Sequence, residues 1–164
     1  MIHLSLETFI AAPPDRCFDL ARSIDLHMAS TDWTGEKAIA GVTSGLIALG
    51  QEVTWEGRHF GLQLHHTSLI TAYDRPHHFQ DCMLRGRFKS FCHDHYFESR
   101  DGGTVMRDEM EFLAPCGLLG WLVERTLLKS HMTDLLSRRN QAIKRAAEGD
   151  AWRAFLQVPQ NTKS

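Results

Sequence analysis

The chain has 164 residues, of which 43% are hydrophobic and 23% are charged, a composition typical of an ordinary globular domain. Its 18 basic and 20 acidic side chains give a formal net charge of −2, so its charge provides no attraction to nucleic acid or to an anionic membrane surface. No apolar run approaches the roughly 20 residues needed to cross a bilayer, and Met1–Ser5 lacks the features of a secretion signal. We therefore expect a cytoplasmic protein with no membrane span and no nucleic-acid partner.

The first ten residues alternate in polarity, which predicts a half-buried strand with the even-numbered residues from Leu4 to Ile10 on one side. Ala11-Ala12-Pro13-Pro14 ends this strand. A short helix is predicted from Asp15, and a second one at about residues 23–29.

Further strand patterns follow at residues 36–41, from about Gln51, and at 60–72, where Asp74-Arg75-Pro76 marks the end. Residues 79–112 alternate through two turn signals, which predicts three adjacent antiparallel strands.

An Asp101-Gly102 pair suits a two-residue type I′ turn, which sets a register in which paired residue numbers sum to 203. His95 then lies opposite Asp108, and Phe97 lies opposite Met106. If the strand before it pairs around a centre near Arg87, Asp81 lies opposite or diagonal to His93.

From Gly117 to Gly149 the apolar period changes to about 3.6, which predicts a helix of roughly 30 residues, about 45 Å long. Its apolar stripe must be covered by the sheet. The basic residues Arg138, Arg139, Lys144 and Arg145 complement the helix dipole and need no partner. Residues 149–164 are expected to form a tail or a short docked helix.

The four cysteines show no Cys-x-x-Cys spacing, and we interpret them as reduced, small apolar side chains: Cys17, Cys82, Cys92 and Cys116. Cys82 and Cys92 share the outer face of two neighbouring predicted strands. A reducing compartment disfavours a bridge between them.

This order of elements resembles the START and birch-pollen-allergen superfamily, also called SRPBCC or polyketide cyclase/dehydrase-like. Three stretches carry the resemblance: Ile10-Ala11-Ala12-Pro13, the run Asp74-Arg75-Pro76 with Phe79-x-Asp81-x-Met83-x-x-Gly86-x-Phe88-x-x-Phe91-x-His93-x-His95-x-Phe97, and Pro115-x-Gly117-x-Leu119-Gly120. The middle pattern resembles the bacterial ligand-binding branch, and the similarity covers about residues 2 to 145. It implies an α+β helix-grip fold over residues 1–148, in which a curved antiparallel sheet of about seven strands, with two short helices after the first strand, wraps around a long C-terminal helix.

A long helix laid across a curved sheet leaves a concave space, and such spaces are where small ligands bind. We expect an internal cavity lined by the inward-facing residues of the sheet and helix. For any single apolar residue a place in the core is the better interpretation, so the cavity is predicted from the set as a whole: Trp55, His66, Phe79, Asp81, Met83, Phe91, His93, His95, Phe97, Met106, Asp108, Met110, Phe112, Leu122 and Leu135.

Four ionisable residues share this otherwise apolar inner face: Asp81, His93, His95 and Asp108. Burial without partners would be costly, so Asp–His pairing is expected. Such a network can be purely structural, or it can also hydrogen-bond the polar end of a ligand. Two histidines at i and i+2 with a carboxylate are also compatible with a metal site, and an aspartate-held histidine with acid/base catalysis.

Our primary prediction is a protein that binds a small hydrophobic molecule, such as a lipid, an aromatic or a polyketide-like compound, without a cofactor or a metal. One alternative is a cofactor-free aromatase/cyclase-type enzyme that uses the four residues of this inner patch. Another is an interaction module with a filled core. Whether the chain forms a homodimer is left open by the sequence.

Overall fold

The computed structural model describes residues 1–113 and 127–156 of the chain. The described residues form an α+β structure with seven strands and four α-helices. The strands are β1 (Ile2–Ile10), β2 (Lys37–Gly41), β3 (Glu52–His59), β4 (Leu62–Asp74), β5 (His78–Arg85), β6 (Ser90–Arg100) and β7 (Gly103–Leu113). The helices are α1 (Pro14–Ala21), α2 (Ile24–Ser30), α3 (Lys129–Glu148) and α4 (Trp152–Leu156), and a 3₁₀ turn covers Asp32–Thr34.

The strands form one antiparallel sheet in the order β1-β7-β6-β5-β4-β3-β2. The predicted register is confirmed, because His95 pairs with Asp108 across β6 and β7, and Asp81 pairs with His93 across β5 and β6. Asp101 has a φ of 52°, and the next residue, a glycine, has a φ of 76°, as the predicted type I′ turn requires.

The sheet is curved around the helices, and register shifts in β2 and β4 contribute to its bending. Helix α3 lies on the concave side, where it contacts β1, α1 and α2. The curved antiparallel sheet, the short helices after β1 and the long C-terminal helix are the architecture predicted from the sequence.

One end of the concave face is filled by α1. The ring of Phe18 is fully buried and meets the rings of Phe79 and Phe97 edge-on, with centroids 5.3 and 5.4 Å apart. Met106 and Ile143 belong to the same buried cluster. This end of the groove is therefore solid core, and any cavity must lie toward the other end.

Helix α3 ends at Glu148, as predicted, and its described part has 20 residues from Lys129. The predicted beginning of this helix, residues 117–126 with Leu122, lies outside the described residues. After α3, the short helix α4 places Trp152 against the core, with the Arg16 guanidinium 4.4 Å from its ring centroid. No helix among the described residues is long and apolar enough to span a membrane.

The interpretation of all four cysteines as reduced is wrong for two of them. Cys82 and Cys92 form a disulfide between β5 and β6, whereas Cys17 is free and buried. The two bonded residues are directly opposed in the ladder, with Cα atoms 4.2 Å apart. Their predicted position as cross-strand neighbours is confirmed, and the expectation that a reducing compartment prevents the bridge is wrong.

Candidate functional site

A cavity of about 240 Å³ lies between the open end of the sheet and the first half of α3. Aliphatic and aromatic side chains from α2, from the sheet and from α3 form most of its wall. Asp81, His93 and Arg139 also reach the wall of the cavity. Other polar side chains line it as well, among them Arg22, His27, Glu36, His59, His66, Arg87 and His131.

Eight of the residues predicted to face a ligand line this cavity: Trp55, His66, Phe79, Asp81, Phe91, His93, Met110 and Leu135. They come from strands β3 to β7 and from α3, so the alternation correctly identified the inner face across most of the sheet. Their contact with a ligand stays a prediction.

Six other predicted residues lie on the inner face without lining the cavity: Met83, His95, Phe97, Met106, Asp108 and Phe112. Phe97 and Met106 lie under α1 in the filled end of the groove. Phe112 belongs to a second buried cluster, together with Leu136 of α3, and Met83 packs against that cluster. Period-two alternation predicts which face a side chain is on, but it does not predict which part of that face another element covers.

Asp108 is the centre of the buried polar network. Its side chain is fully buried, and Oδ1 accepts hydrogen bonds from Nε2 of His93 at 3.0 Å and from Nδ1 of His95 at 2.8 Å. Its other oxygen accepts from Nδ2 of Asn140 at 2.7 Å. One carboxylate thus fixes two rings of β6 and connects them to α3.

Asp81 closes the network on the β5 side, where its Oδ1 lies 3.2 Å from Nε2 of His95. Both ring nitrogens of His95 therefore contact carboxylate oxygens. The ring of His93 lies against that of His95, with centroids 3.8 Å apart, and it reaches the cavity wall. His93 and Asp81 thus line the cavity, whereas His95 and Asp108 lie behind them.

Burial and hydrogen bonding within the network set the protonation states of His93, Asp108 and Asp81. Burial and the neighbouring His95 lower the pKa of His93 to about 4, so this ring is neutral at pH 7 and its Nε2 proton is donated to Asp108. Burial by itself would raise the pKa of Asp108, but the hydrogen bonds from the two histidines lower it below its ordinary value. The pKa of Asp81 is also lowered, because the hydrogen bond from His95 and nearby positive charges outweigh its burial. Both carboxyls are therefore ionised at neutral pH.

Two residues of α3 that the sequence does not assign to the patch, Arg139 and Asn140, belong to this site. The prediction that Arg139 needs no partner is wrong, because its side chain is only 12% exposed and its Nη2 donates to the carbonyl oxygen of Ala21 at 2.6 Å. Asn140 is fully buried against Asp108. The signal was present, because each follows an apolar stripe residue, Leu135 or Leu136, by four positions and so lies on the buried side of the helix.

A second group of residues at the cavity wall was not predicted. Nδ1 of His59 lies 3.1 Å from Nε2 of His131, which joins the β3–β4 hairpin to α3, and the ring of Phe60 lies 4.7 Å from that of His131. In such a pair one ring must accept, so at least one of them is neutral. Burial, helped by the charge of His59, lowers the pKa of His131. The contact joins residues 72 positions apart, which no local pattern indicates.

Among the residues that the structure describes, Asp81, His93 and His95 could hold a metal ion, since their ligand atoms lie within 4.8 Å of one another. Asp108 would support both imidazoles from behind, as carboxylates do at zinc sites. However, the two carboxylates already engage both nitrogens of His95, and the Arg139 guanidinium lies 3.8 Å from Asp108. A nearby fixed cation disfavours a divalent ion by Coulomb repulsion, so the donor set fits a hydrogen-bonded network better than a metal centre.

No protein-family model and no curated protein matches the chain. Among solved structures, TTHA0849 from Thermus thermophilus matches with a TM-score of 0.70 and 16% identity, over 89% of this chain and 99% of that one. The ginseng major latex-like protein 151 from Panax ginseng matches with a TM-score of 0.65 and 16% identity, over 89% and 97% of the two chains. Ara h 8.0201 matches with a TM-score of 0.57 and 14% identity, over 87% and 97%.

The chain has the same fold as these solved structures, a curved antiparallel sheet that wraps around a long C-terminal helix. The fold expected from the resemblance is thereby confirmed. Identities this low establish the fold alone, so the function must be argued from the site.

Proposed function

We propose that this helix-grip protein binds a small, mainly apolar molecule in the cavity between the sheet and α3. The supporting observation is the cavity itself, about 240 Å³ in volume and lined mostly by apolar side chains. Concave, mainly apolar spaces of this kind are where proteins bind small ligands. A space of this size argues against the filled-core alternative.

The volume indicates the size of the ligand. An apolar cavity of about 150 Å³ holds benzene, so this larger space fits a molecule of about two fused rings or a compact chain of similar bulk. Apolar groups on such a ligand would be removed from water by residues such as Ile70, Phe91 and Met110, which contributes roughly 25 cal/mol per Å² of buried apolar surface.

The histidine network supports binding better than catalysis. A general base works best when its pKa lies near the working pH. Burial lowers the pKa of His93, the network histidine that reaches the cavity, to about 4, which makes it a weak base at pH 7. The cyclase-type alternative therefore receives no support from this geometry.

The first test is to identify what the cavity holds. Native mass spectrometry of the protein purified from the organism that makes it is expected to show a co-purifying small molecule. Titration with 1-ethylnaphthalene, used as a neutral apolar fluorescent dye of two fused rings, is expected to show saturable binding at one site.

Leu135→Trp is expected to weaken dye binding at least tenfold, because a larger side chain enters the cavity from α3. The matched control is Leu84→Trp, which adds the same group at an exposed position of β5 away from the cavity and should leave the affinity unchanged. Equal affinities for the two variants, or a wild-type protein that takes up no apolar probe, would contradict the proposal.

A further inference from the structure

Three segments of the chain surround the place where the cavity meets solvent. They are the tip of the β3–β4 hairpin (residues 58–63), the β5–β6 turn (residues 85–89) and the residues around the beginning of α3 (residues 127–131). Each contributes side chains to the cavity wall: His59, Phe60, Arg87, Phe88, Leu128 and His131. Phe60 and Arg87 are exposed to solvent as well, so the cavity opens here. We call these three segments together the mouth surface.

The mouth surface exposes large apolar side chains. Phe60, Leu62 and Leu127 are 59%, 63% and 62% exposed. The ring of Phe60 lies 4.7 Å from that of His131, so the hairpin tip and the beginning of α3 are in contact and present their apolar side chains side by side. Groups of exposed apolar side chains mark sites that bind another protein or a membrane.

The mouth surface is also basic. It contains no Asp or Glu, and its Arg and Lys side chains are all exposed: Arg58, Arg85, Arg87, Lys89 and Lys129. The formal net charge of −2 for the whole chain predicts no attraction to an anionic surface. Salt, however, screens exposed charges that are more than about 10 Å apart, so a partner at the mouth surface responds to the charge of that surface.

The acidic residues that border the mouth surface offset only part of this positive charge. The Glu36 carboxylate faces His27 inside the cavity wall and is 14% exposed. Oε2 of Glu56 lies 2.8 Å from Nε2 of His65. Asp134 follows on α3, and Glu52 lies at the far side of the groove that the β5–β6 turn borders. The tips themselves remain free of negative charge.

We propose that the mouth surface docks on an anionic lipid bilayer. Lys and Arg side chains near such a surface are attracted by its negative potential, and apolar side chains beside them enter the boundary between headgroups and acyl chains. Phe60, Leu62 and Leu127 take the second role. Resting on the proposed function, this arrangement lets an apolar ligand pass between the bilayer and the cavity without crossing water. An acidic protein partner would match the charges but gives no reason for the apolar cavity to open at this surface.

Sedimentation of the full chain with lipid vesicles tests the docking. Vesicles of phosphatidylcholine alone are compared with vesicles that contain roughly 30% phosphatidylserine. We expect the partition coefficient to be at least roughly tenfold larger for the anionic vesicles, because each basic residue near the surface contributes about fivefold. The coefficient should fall as the salt concentration rises from about 50 to about 300 mM.

Arg85→Glu combined with Lys89→Glu tests the basic part of the surface. Neither residue lines the cavity, and reversal of both charges should lower binding to the anionic vesicles at least roughly 30-fold. The matched control is Arg100→Glu combined with Arg145→Glu. This pair changes the charge equally at the far end of β6 and near the end of α3, and it should bind within about threefold of the wild type.

Leu62→Ser combined with Leu127→Ser tests the apolar part. We expect roughly tenfold weaker binding to the anionic vesicles, because less apolar surface is removed from water, with the salt dependence retained. The matched control is Ile39→Ser combined with Leu49→Ser, which changes two exposed side chains outside the mouth surface and should leave binding unchanged.

The outcomes separate the docking from the proposed function. Sedimentation with neither kind of vesicle, equal sedimentation with both, or equal losses in the variants and their controls would overturn the docking. Unchanged binding by the serine variant would also overturn it, because the surface would then recognise charge alone, as a surface for an acidic protein does. Dye titration without vesicles tests the proposed function separately, so a protein that takes up the dye but does not sediment with anionic vesicles refutes the docking alone.

Discussion

Asp108→Ala is expected to lower the free energy of unfolding by about 3 to 5 kcal/mol, as breaking a buried hydrogen-bonded charge group does. The carboxylate is fully buried and accepts from His93, His95 and Asn140. Its removal leaves three buried donors without an acceptor, in addition to a cavity of a carboxyl group's volume. Urea unfolding at pH 7.5, followed by circular dichroism, measures the difference.

Asp94→Ala is the matched control on the opposite face of β6. Asp94 also accepts from a histidine, since its Oδ1 lies 2.7 Å from Nε2 of His78, but its side chain is 21% exposed. Partly solvated pairs contribute about 1 kcal/mol or less, so this variant should lose little stability. If both substitutions cost the same, the inner network is not what holds β6, β7 and α3 together.

The network and the cavity lie side by side because of one feature of the fold. Helix α1 fills one end of the curved sheet with Phe18, and α3 spans the remaining space with Leu135 and Arg139 on its inner side. Asp108 then ties the sheet to α3 through Asn140 at 2.7 Å. The network thereby fixes the position of the helix that forms one wall of the cavity.

Local sequence patterns predict much of this architecture. Alternation and the Asp101-Gly102 turn give the β6–β7 register, and with it the pairing of His95 with Asp108. Each such prediction depends only on residues close in sequence, for which the period of side-chain direction is fixed.

The rest depends on contacts between distant segments. Phe18 of α1 covers one part of the inner face and leaves the rest open. It is far in sequence from the strands that it covers, such as the strand of Phe97. The basic residues near the end of α3 predict that Arg139 needs no partner, although its spacing from Leu135 places it on the buried side. The prediction of reduced cysteines depends on the redox environment, which no residue in the chain encodes.

Stability is expected to fall as the pH is lowered from 6.5 toward 4. The pKa of His93 is about 4 in the folded protein, against an ordinary value of 6.5. Between these pH values the unfolded chain binds a proton at this residue that the folded protein does not, so the free energy of unfolding decreases as the pH falls. A pKa difference of this size corresponds to about 3 kcal/mol of the free energy of unfolding. This contribution is fully present above pH 6.5 and is lost at about pH 4. The lowered pKa values of Asp81 and Asp108 act in the same direction at still lower pH, as each carboxylate becomes protonated.

His93→Gln isolates this contribution, because it removes the titrating ring and keeps an amide that can donate to Asp108. We expect its free energy of unfolding to be lower than that of the wild type at pH 7.5, since the hydrogen bond at 3.0 Å is disturbed. Between pH 6.5 and 4, however, its free energy of unfolding should fall less steeply than that of the wild type. The difference between the two slopes should reach about 1.4 kcal/mol per pH unit at the steepest point. His78→Gln, on the outer face of β5, is the matched control and should retain the slope of the wild type. If the free energies of unfolding of the wild type and His93→Gln change in parallel with pH, His93 takes up its proton equally in the folded and unfolded chains. Burial would then not hold this ring neutral in the folded protein.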